Sequence, residues 1–243
     1  MINQNNAKNI RPPAVASMFY PVGAAELRKA VQNYLSNAGT EEDVSQFKKE
    51  EFAELRTLIV PHAGYIYSGK IAASAYRLLE QNKNQFKRVL LLGPAHRVLL
   101  EGAAFPEMDA FETSLGEITL DKELIEKILA EFSWISVSDK AHAEEHCLEV
   151  QLPFLQETLG EFKLLPLVVG DAKTELLAAL IQQFSKDHET LIVISTDLSH
   201  FHDYETAREI DGRTANAIEL LEQNRISTED ACGAYPLRGA LLA

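Results

Sequence analysis

The chain has 243 residues, of which 46% are hydrophobic and 24% are charged, a composition typical of a globular protein with a full hydrophobic core. The formal net charge of −13 disfavours broad nucleic-acid binding, and no apolar run reaches the ~18 residues that a membrane span needs. With only two distant cysteines and no secretory signal, the sequence predicts a soluble, cytoplasmic protein without nucleic-acid or membrane partners.

Domain organisation follows from the absence of any linker-like segment. We predict a single α/β domain over residues 11–243, preceded by a disordered tail over the polar, asparagine-rich residues 1–10. Apolar residues at helical spacing predict a first helix over 24–35. The charged stretch 41–49 predicts an exposed loop or a short helix.

Nearly continuous apolar runs predict buried strands, and they lie at 55–60, 88–93, 163–170 and 190–196. Pro166 lies inside the third run and favours an edge position or a bulge for that strand, because proline has no backbone donor. Short β-like pieces over 103–120 make a mixed sheet the better prediction.

Helical patterns separate these runs, at 71–81, 121–132, 174–184 and 204–223. Asp121 stands where it would cap the second of these helices. Alternating apolar strands and helices indicate a mostly parallel sheet covered by helices on both faces. The predicted fold class is therefore α/β, with three αβα layers around a mostly parallel, mixed sheet.

Polar residues follow three of the predicted strands at their carboxyl ends, where open parallel sheets place their ligand crevices. We therefore expect His62, His96 and His200 to converge, although they lie far apart in the sequence. Imidazole is the commonest metal ligand near neutral pH, and two or three ligands with an open position are typical of a catalytic metal site. Alternatively, each histidine caps a strand end or bonds a loop, but their shared location favours a common site.

A second polar cluster spans residues 142–149. If this segment is helical, His146 and Glu149 share one face because they are three residues apart. A solvated helix start, which favours acidic residues, explains the same pattern. The residues alone leave these two interpretations equal.

Cys232 precedes a glycine and a helix that carries Pro236 in its first turn. A thiol near a helix N-terminus has a lowered pKa and is a better nucleophile or metal ligand. The alternative is a small buried hydrophobe, which is the role of most free cysteines. Cys147 fits that alternative better, because it stands between His146 and Leu148 at a position that we predict to be helical.

An ordered set of motifs runs along nearly the whole chain: RPPAVA at 11–16, FYP at 19–21, PHAGY at 61–65, YSG at 67–69, LGPAH at 92–96, EHCLEVQLPF at 145–154, STDLSH at 195–200 and CG at 232–233. Together these motifs resemble the Memo family, also labelled AmmeMemoRadiSam system protein B. That family is similar to the class III extradiol dioxygenases, which cleave aromatic rings with non-haem iron held by two histidines and a carboxylate.

The resemblance implies specific roles for several side chains of these motifs. His62 and His96 would take the two histidine positions of the metal site, and Cys232 would stand in place of the carboxylate. Asp197 and His200 fall on the orienting or acid/base positions.

The resemblance also brings the 145–154 motif to the pocket, with His146 in it. We therefore predict His146, Glu149 and Tyr65 to be pocket or substrate-binding residues. Many family members carry serine where this chain has Cys147, which we expect to affect only packing. The chain ends inside a predicted helix, whereas family members continue into further strands, which would make this a shortened version.

Replacing a carboxylate by thiolate changes the metal preference towards Cu(I), Zn or thiolate-ligated Fe. We expect a divalent or redox metal ion, Fe, Cu or Zn, and a metal-dependent redox or hydrolytic step on an unknown small molecule. His200 would carry the proton and Asp197 would orient it. The alternative is a non-catalytic binding module that holds a phosphopeptide or protein partner in the cleft. A radical-SAM partner is implied by the family label alone.

Overall fold

The computed structural model describes residues 8–39, 55–82, 85–184 and 186–243. The predicted loop over 41–49 and residues 1–7 of the predicted tail lie outside these ranges. At the end of that tail, Ile10 belongs to a strand. The strands are β1 (Ile10–Arg11), β2 (Thr57–Val60), β3 (Arg88–Pro94), β4 (Ala103–Phe105), β5 (Ala110–Thr113), β6 (Gly116–Thr119), β7 (Ile135–Val137), β8 (Lys163–Val169) and β9 (Thr190–Ser195).

The helices alternate with the strands through most of the chain. They are α1 (Ala24–Ser36), α2 (Tyr65–Tyr76), α3 (Lys122–Glu131), α4 (Asp139–Ala143), α5 (Leu152–Leu159), α6 (Thr174–Gln182), α7 (Tyr204–Glu219) and α8 (Ala234–Leu242). Short 3₁₀ turns cover Arg77–Asn82, Glu149–Gln151 and Gln223–Arg225. No helix in these described ranges combines the length and the apolar character that crossing a bilayer requires.

The main sheet has the strand order β2-β9-β3-β8-β4-β7. Every neighbouring pair is parallel except β4 and β8, which are antiparallel. A small second sheet, β1-β5-β6, pairs Ile10 in parallel register with Ala110. The mixed, mostly parallel sheet that the sequence predicts is therefore confirmed.

The central strands β3, β8 and β9 are buried along almost their whole length, as expected for parallel strands with helices on both faces. Helices α1, α2 and α5 pack together as one group, and α6 packs against α8, which also contacts β3 and β9. This is the three-layer αβα architecture that the alternation of strands and helices predicts. The parallel strands end in loops at a common edge, where β2, β3 and β9 lie side by side.

Two details of the sequence interpretation are wrong. The strand that carries Pro166 is interior, since β8 lies between β3 and β4. Proline is tolerated there because the β4 ladder pairs only with Val168 and Val169. Asp121 does stand at the N-cap of α3, but its side chain makes no cap hydrogen bond. It bonds Arg88 instead, because that partly buried guanidinium offers a stronger, charge-assisted partner.

Helix boundaries also differ from the predicted ones. The predicted helix over 71–81 begins six residues earlier, at Tyr65, directly after the Pro61–Gly64 turn, and it ends in a 3₁₀ turn. The predicted helix over 204–223 ends at Glu219. The segment from Glu145 to Leu148 is not helical, so the shared helical face proposed for His146 and Glu149 is wrong. Two hydrogen bonds from backbone amides of this segment to the Glu145 carboxylate, described below, hold it in a turn instead.

Candidate metal centre

His62 stands in the turn that follows β2, where Pro61 ends the backbone ladder. Its side chain is only 2% exposed, and its backbone N–H donates to the Asp197 carboxylate at 2.7 Å. Its ring Nδ1 lies 2.9 Å from Ser195 Oγ, on the neighbouring strand β9. Because Val60 and Ser195 are register partners, the sheet itself sets the position of this ring.

His96 follows β3, and Glu145 holds it at two points. The backbone N–H of His96 donates to one carboxylate oxygen at 2.6 Å, and its ring Nδ1 lies 2.9 Å from the other. Burial by itself raises the pKa of Glu145, but hydrogen bonds from His146 and His96 outweigh it and hold that pKa well below the usual range. The carboxylate therefore accepts from Nδ1–H, and Nε2 of His96 is left free to face the site.

Cys232 precedes α8 and lies against the end of β9. Its Sγ is 3.3 Å from His62 Nε2 and accepts the backbone N–H of Asp197 at 3.3 Å. The following glycine makes this approach possible, since a Cβ on Gly233 would fall 2.6 Å from Thr196 Cβ. Burial raises the pKa of the Cys232 thiol, but hydrogen bonds from His62 and His96 outweigh it and lower that pKa to about 5.

These three side chains form one compact donor set. The ligand atoms of His62, His96 and Cys232 all lie within 4.8 Å of one another. The contact is mutual: burial lowers the pKa of His96, but its bonds to Cys232 and Glu145 raise it to about 9. The His96 side chain is 28% exposed, so the cluster opens to solvent on that side. Two imidazoles and one thiolate at this spacing are the donors that a borderline or soft metal ion takes.

His146 adds a third imidazole to the cluster. Its ring stacks on that of His96 with centroids 4.8 Å apart, and it meets His62 edge-on at 5.5 Å. Phe19 packs on it from the N-terminal segment at 4.9 Å. Its buried Nδ1 lies 3.3 Å from Glu145 Oε1, so the same carboxylate contacts both His96 and His146.

A second group of potential ligands shares a residue with the first, namely His96, Glu145 and His146. It is less suited to a metal, because Glu145 already accepts hydrogen bonds from its neighbours. Its Oε1 takes the backbone N–H groups of His146 and Cys147 at 3.0 and 3.1 Å, besides the His96 ring. We therefore interpret Glu145 as the support of the site rather than a ligand.

Glu149, which we predicted in the pocket, lies fully buried behind it. Its carboxylate pairs with Arg11 at 2.6 Å and accepts the Tyr20 hydroxyl at 2.6 Å. It also accepts the backbone N–H groups of Ala14 and Val15 at 2.8 and 3.0 Å. The Arg11 guanidinium further donates to the carbonyls of residues 142 and 145. This arrangement ties the N-terminal segment to the loop that carries Glu145.

The remaining predicted site residues are placed differently from one another. Tyr65 is buried, and its hydroxyl donates to Val150 O at 2.7 Å within the core. Asp197 lies at the cluster, with Oδ2 3.8 Å from His62 Nε2. His200 is exposed, packs against Phe201 and lies outside both groups of potential ligands. The structure thus brings His62 and His96 together and adds His146, not His200, as the third imidazole.

Sequence reasoning missed Glu145 and Ser195 as functional positions. Both stand inside the motifs that the sequence offers, beside His146 and at the end of β9. The available signal was weak, because a glutamate before a histidine and a serine at a strand end are common. Cys147 behaves as predicted, since it is fully buried.

Comparison with known proteins gives a consistent result. The model of the family described as Memo-like protein matches residues 11–234. A "MEMO1 family protein" of Aquifex aeolicus is 38% identical over 225 residues, which cover 91% of this chain and 77% of that protein. A namesake from Methanobrevibacter smithii is 34% identical, covering 96% and 86%, and one from Sulfolobus acidocaldarius is 32% identical, covering 96% and 87%.

Proposed function

Since the chain belongs to the Memo-like protein family, we propose that it is a metal-dependent redox enzyme whose ion is held by His62, His96 and Cys232. The observation that carries this proposal is the convergence of three donor atoms, from segments far apart in the chain, within 4.8 Å. The family relation supports a common architecture, and the donor chemistry supports the metal.

The residues present fit a metal ion on three grounds. The two imidazoles and the thiolate are donors suited to Fe, Cu or Zn rather than Mg or Ca. Glu145 orients His96 through Nδ1, the arrangement that supports histidine ligands in metal sites. A three-ligand set leaves coordination positions open, and a bound metal would supply Lewis acidity and, for Fe or Cu, one-electron exchange.

The chain's own residues then have separable tasks. Glu145 fixes the ring of His96, and the Asp197 backbone N–H stabilises the thiolate of Cys232. We assign proton transfer to His146 rather than to His200, because the His146 ring contacts both histidine ligands and its Nδ1 lies against the Glu145 carboxylate. Phe19 shields one side of that ring from water.

Metal analysis after loading with Fe, Cu or Zn and desalting tests the first half of the proposal. We expect about one ion per wild-type chain, and less than about a tenth of that for His62→Ala or Cys232→Ala. His188→Ala, which removes an exposed histidine away from the cluster, is the matched control and should retain its metal. Full occupancy in His62→Ala would exclude His62 as a ligand.

The second half of the proposal separates an enzyme from a binding module. Oxygen consumption by the metal-loaded protein with catechols as reductant probes should exceed that of the Cys232→Ala variant. A wild-type protein that keeps its metal but is no faster than this variant, with catechols and with other small reductants, would contradict redox catalysis. That result would favour the non-catalytic cleft instead.

A further inference from the structure

We propose that Ser195 is a positioning residue that, supported by Gln151, locks His62 into the tautomer with its proton on Nδ1. Because Nδ1 holds its proton, Nε2, which faces Cys232, is the ring nitrogen that can offer a lone pair to a metal ion. The use of that lone pair rests on the proposed function, but the tautomer itself is a property of the metal-free chain.

The orientation of the Gln151 amide is fixed from outside. Its Nε2 lies 2.9 Å from Pro61 O, and a carbonyl only accepts, so the amide nitrogen must face it. The second N–H of the same nitrogen points to Ser195 Oγ at 2.9 Å. The amide oxygen accepts the Tyr76 hydroxyl at 2.9 Å, and burial raises the pKa of Tyr76, so that hydroxyl keeps its proton.

The single proton of the Ser195 hydroxyl is committed as well. Its Oγ lies 2.7 Å from Cys147 O, which can only accept. Two further neighbours remain, Gln151 Nε2, which donates, and His62 Nδ1 at 2.9 Å. Since Ser195 has no proton left for the imidazole, His62 Nδ1 must be the donor.

Burial makes this assignment rigid. Ser195 and Tyr76 are 0% exposed, Gln151 is 1% and His62 is 2% exposed. No bulk water reaches these groups to offer a substitute partner, and reversing the His62 tautomer would set two lone pairs against each other. The consequence is a ring whose Nε2 is ready to accept a metal, 3.3 Å from Cys232 Sγ.

The two histidine ligands are thus oriented by different chemistry. An anionic carboxylate supports His96, whereas a neutral hydroxyl with no free proton supports His62. A carboxylate raises the basicity of its imidazole, and a hydroxyl fixes the tautomer with little effect on charge. Ser195 therefore acts through His62 and not as a ligand itself.

Two-bond ¹H–¹⁵N correlation spectra of the metal-free, reduced protein test the tautomer directly. We expect the Nδ1 resonance of His62 to remain in the protonated range from pH 6 to pH 9, with assignment from the His62→Ala spectrum. A His62 ring with bare Nδ1 and protonated Nε2 would overturn the inference without any variant being made.

Variants at position 195 test the consequence. Ser195→Ala should let both His62 tautomers appear and should weaken Zn²⁺ binding, measured by competition with a chromophoric chelator, by about 10–100-fold. Ser195→Thr keeps a hydroxyl at this strand position and should match the wild type in both the His62 spectrum and the Zn²⁺ affinity. Ser199→Ala is the matched control, because the Ser199 hydroxyl is buried and has no partner within the described part of the chain.

Ser195→Ala with an unchanged His62 spectrum and unchanged Zn²⁺ affinity would refute the positioning role. If that variant does not fold, the wild-type spectrum still decides the tautomer. A wild-type chain with protonated Nδ1 but no Zn²⁺ binding would contradict the metal function while leaving the tautomer assignment intact.

Discussion

The two ends of the main sheet both gather charge, but they use it differently. At the amino end, a groove of about 700 Å³ is lined by Arg88, Asp121 and Lys163, among others. Arg88 bonds Asp121 at 3.0 Å and Asp187 at 2.8 Å, so its charge is neutralised. At the carboxyl end, the donor atoms of His62, His96 and Cys232 instead face one another within 4.8 Å. We therefore locate the candidate site by its cluster of donor atoms and not by the volume of the groove.

Solvent explains the contrast. At the amino end, the Lys163 side chain, which pairs with Asp121, is 54% exposed. Ion pairs with exposed partners are weak because water and salt screen them. Glu145 and Glu149 beneath the carboxyl end are almost fully buried, so every unmet bond there is costly. We therefore expect substitutions of the buried groups at the carboxyl end to change stability or metal affinity strongly, and substitutions at the amino end to change them little.

The largest effect is expected from the buried ion pair. Arg11→Met should lower the free energy of unfolding by about 3–5 kcal/mol, because it leaves Glu149 buried without its counterion. Urea denaturation measures this change. Arg28→Met is the matched control, since it breaks an exposed pair with Glu157 and should cost about 1 kcal/mol or less. Equal losses in both variants would break the comparison.

His142 should make stability depend on pH. Burial lowers its pKa from 6.5 to about 4, despite the hydrogen bond that its Nε2 makes to Ala104 O. The unfolded chain therefore binds the proton first, and stability should fall by about 3 kcal/mol as the pH drops from 6.5 to 4. Denaturation midpoints of the wild type and of His142→Gln, compared over this range, should diverge. Parallel pH profiles would show that His142 contributes nothing.

Metal affinity should respond next. Glu145→Gln keeps the shape of the side chain but removes the charge that supports His96, so Zn²⁺ affinity should fall about 10–100-fold. That change corresponds to about 1.4–2.8 kcal/mol. Glu144→Gln, at the exposed neighbouring position, should leave affinity unchanged. Wild-type Zn²⁺ affinity in Glu145→Gln would show that the charge of this carboxylate does not support the metal site.

The smallest effect belongs to the amino end. Lys163→Ala removes a cation 3.5 Å from Asp121 and should change the free energy of unfolding by less than about 1 kcal/mol. It should not alter Zn²⁺ affinity at all, because the groove and the cluster lie at opposite ends of the strands. A measurable change in affinity would mean that the two ends are coupled.

The sequence suffices to predict the elements that local pattern determines. Continuous apolar runs locate β3, β8 and β9, and parallel topology brings the loops of His62 and His96 to one edge. The role of Cys232 came from the family resemblance, and the structure places its sulfur beside His62. These inferences succeed because periodicity and strand ends are local properties.

Long-range contacts lie beyond that reasoning. Arg11 meets Glu149 across 138 residues, and no pattern near either residue reports the partner. The turn that holds His146 is imposed by bonds to Glu145, which override any helical preference of the segment. His200 shows the converse: its loop ends at the predicted edge, but the backbone carries its ring towards solvent.

The strand order β2-β9-β3 has a consequence for how the protein matures. The strands that lead to His62 and His96 are not neighbours until β9, which is made about a hundred residues later, inserts between them, and Cys232 follows His62 by 170 positions. A nascent chain on the ribosome therefore exposes isolated imidazoles but no assembled chelate. Under the proposed function, the full set of three ligands can therefore capture an ion only after residue 232 has been made and β9 has joined the sheet.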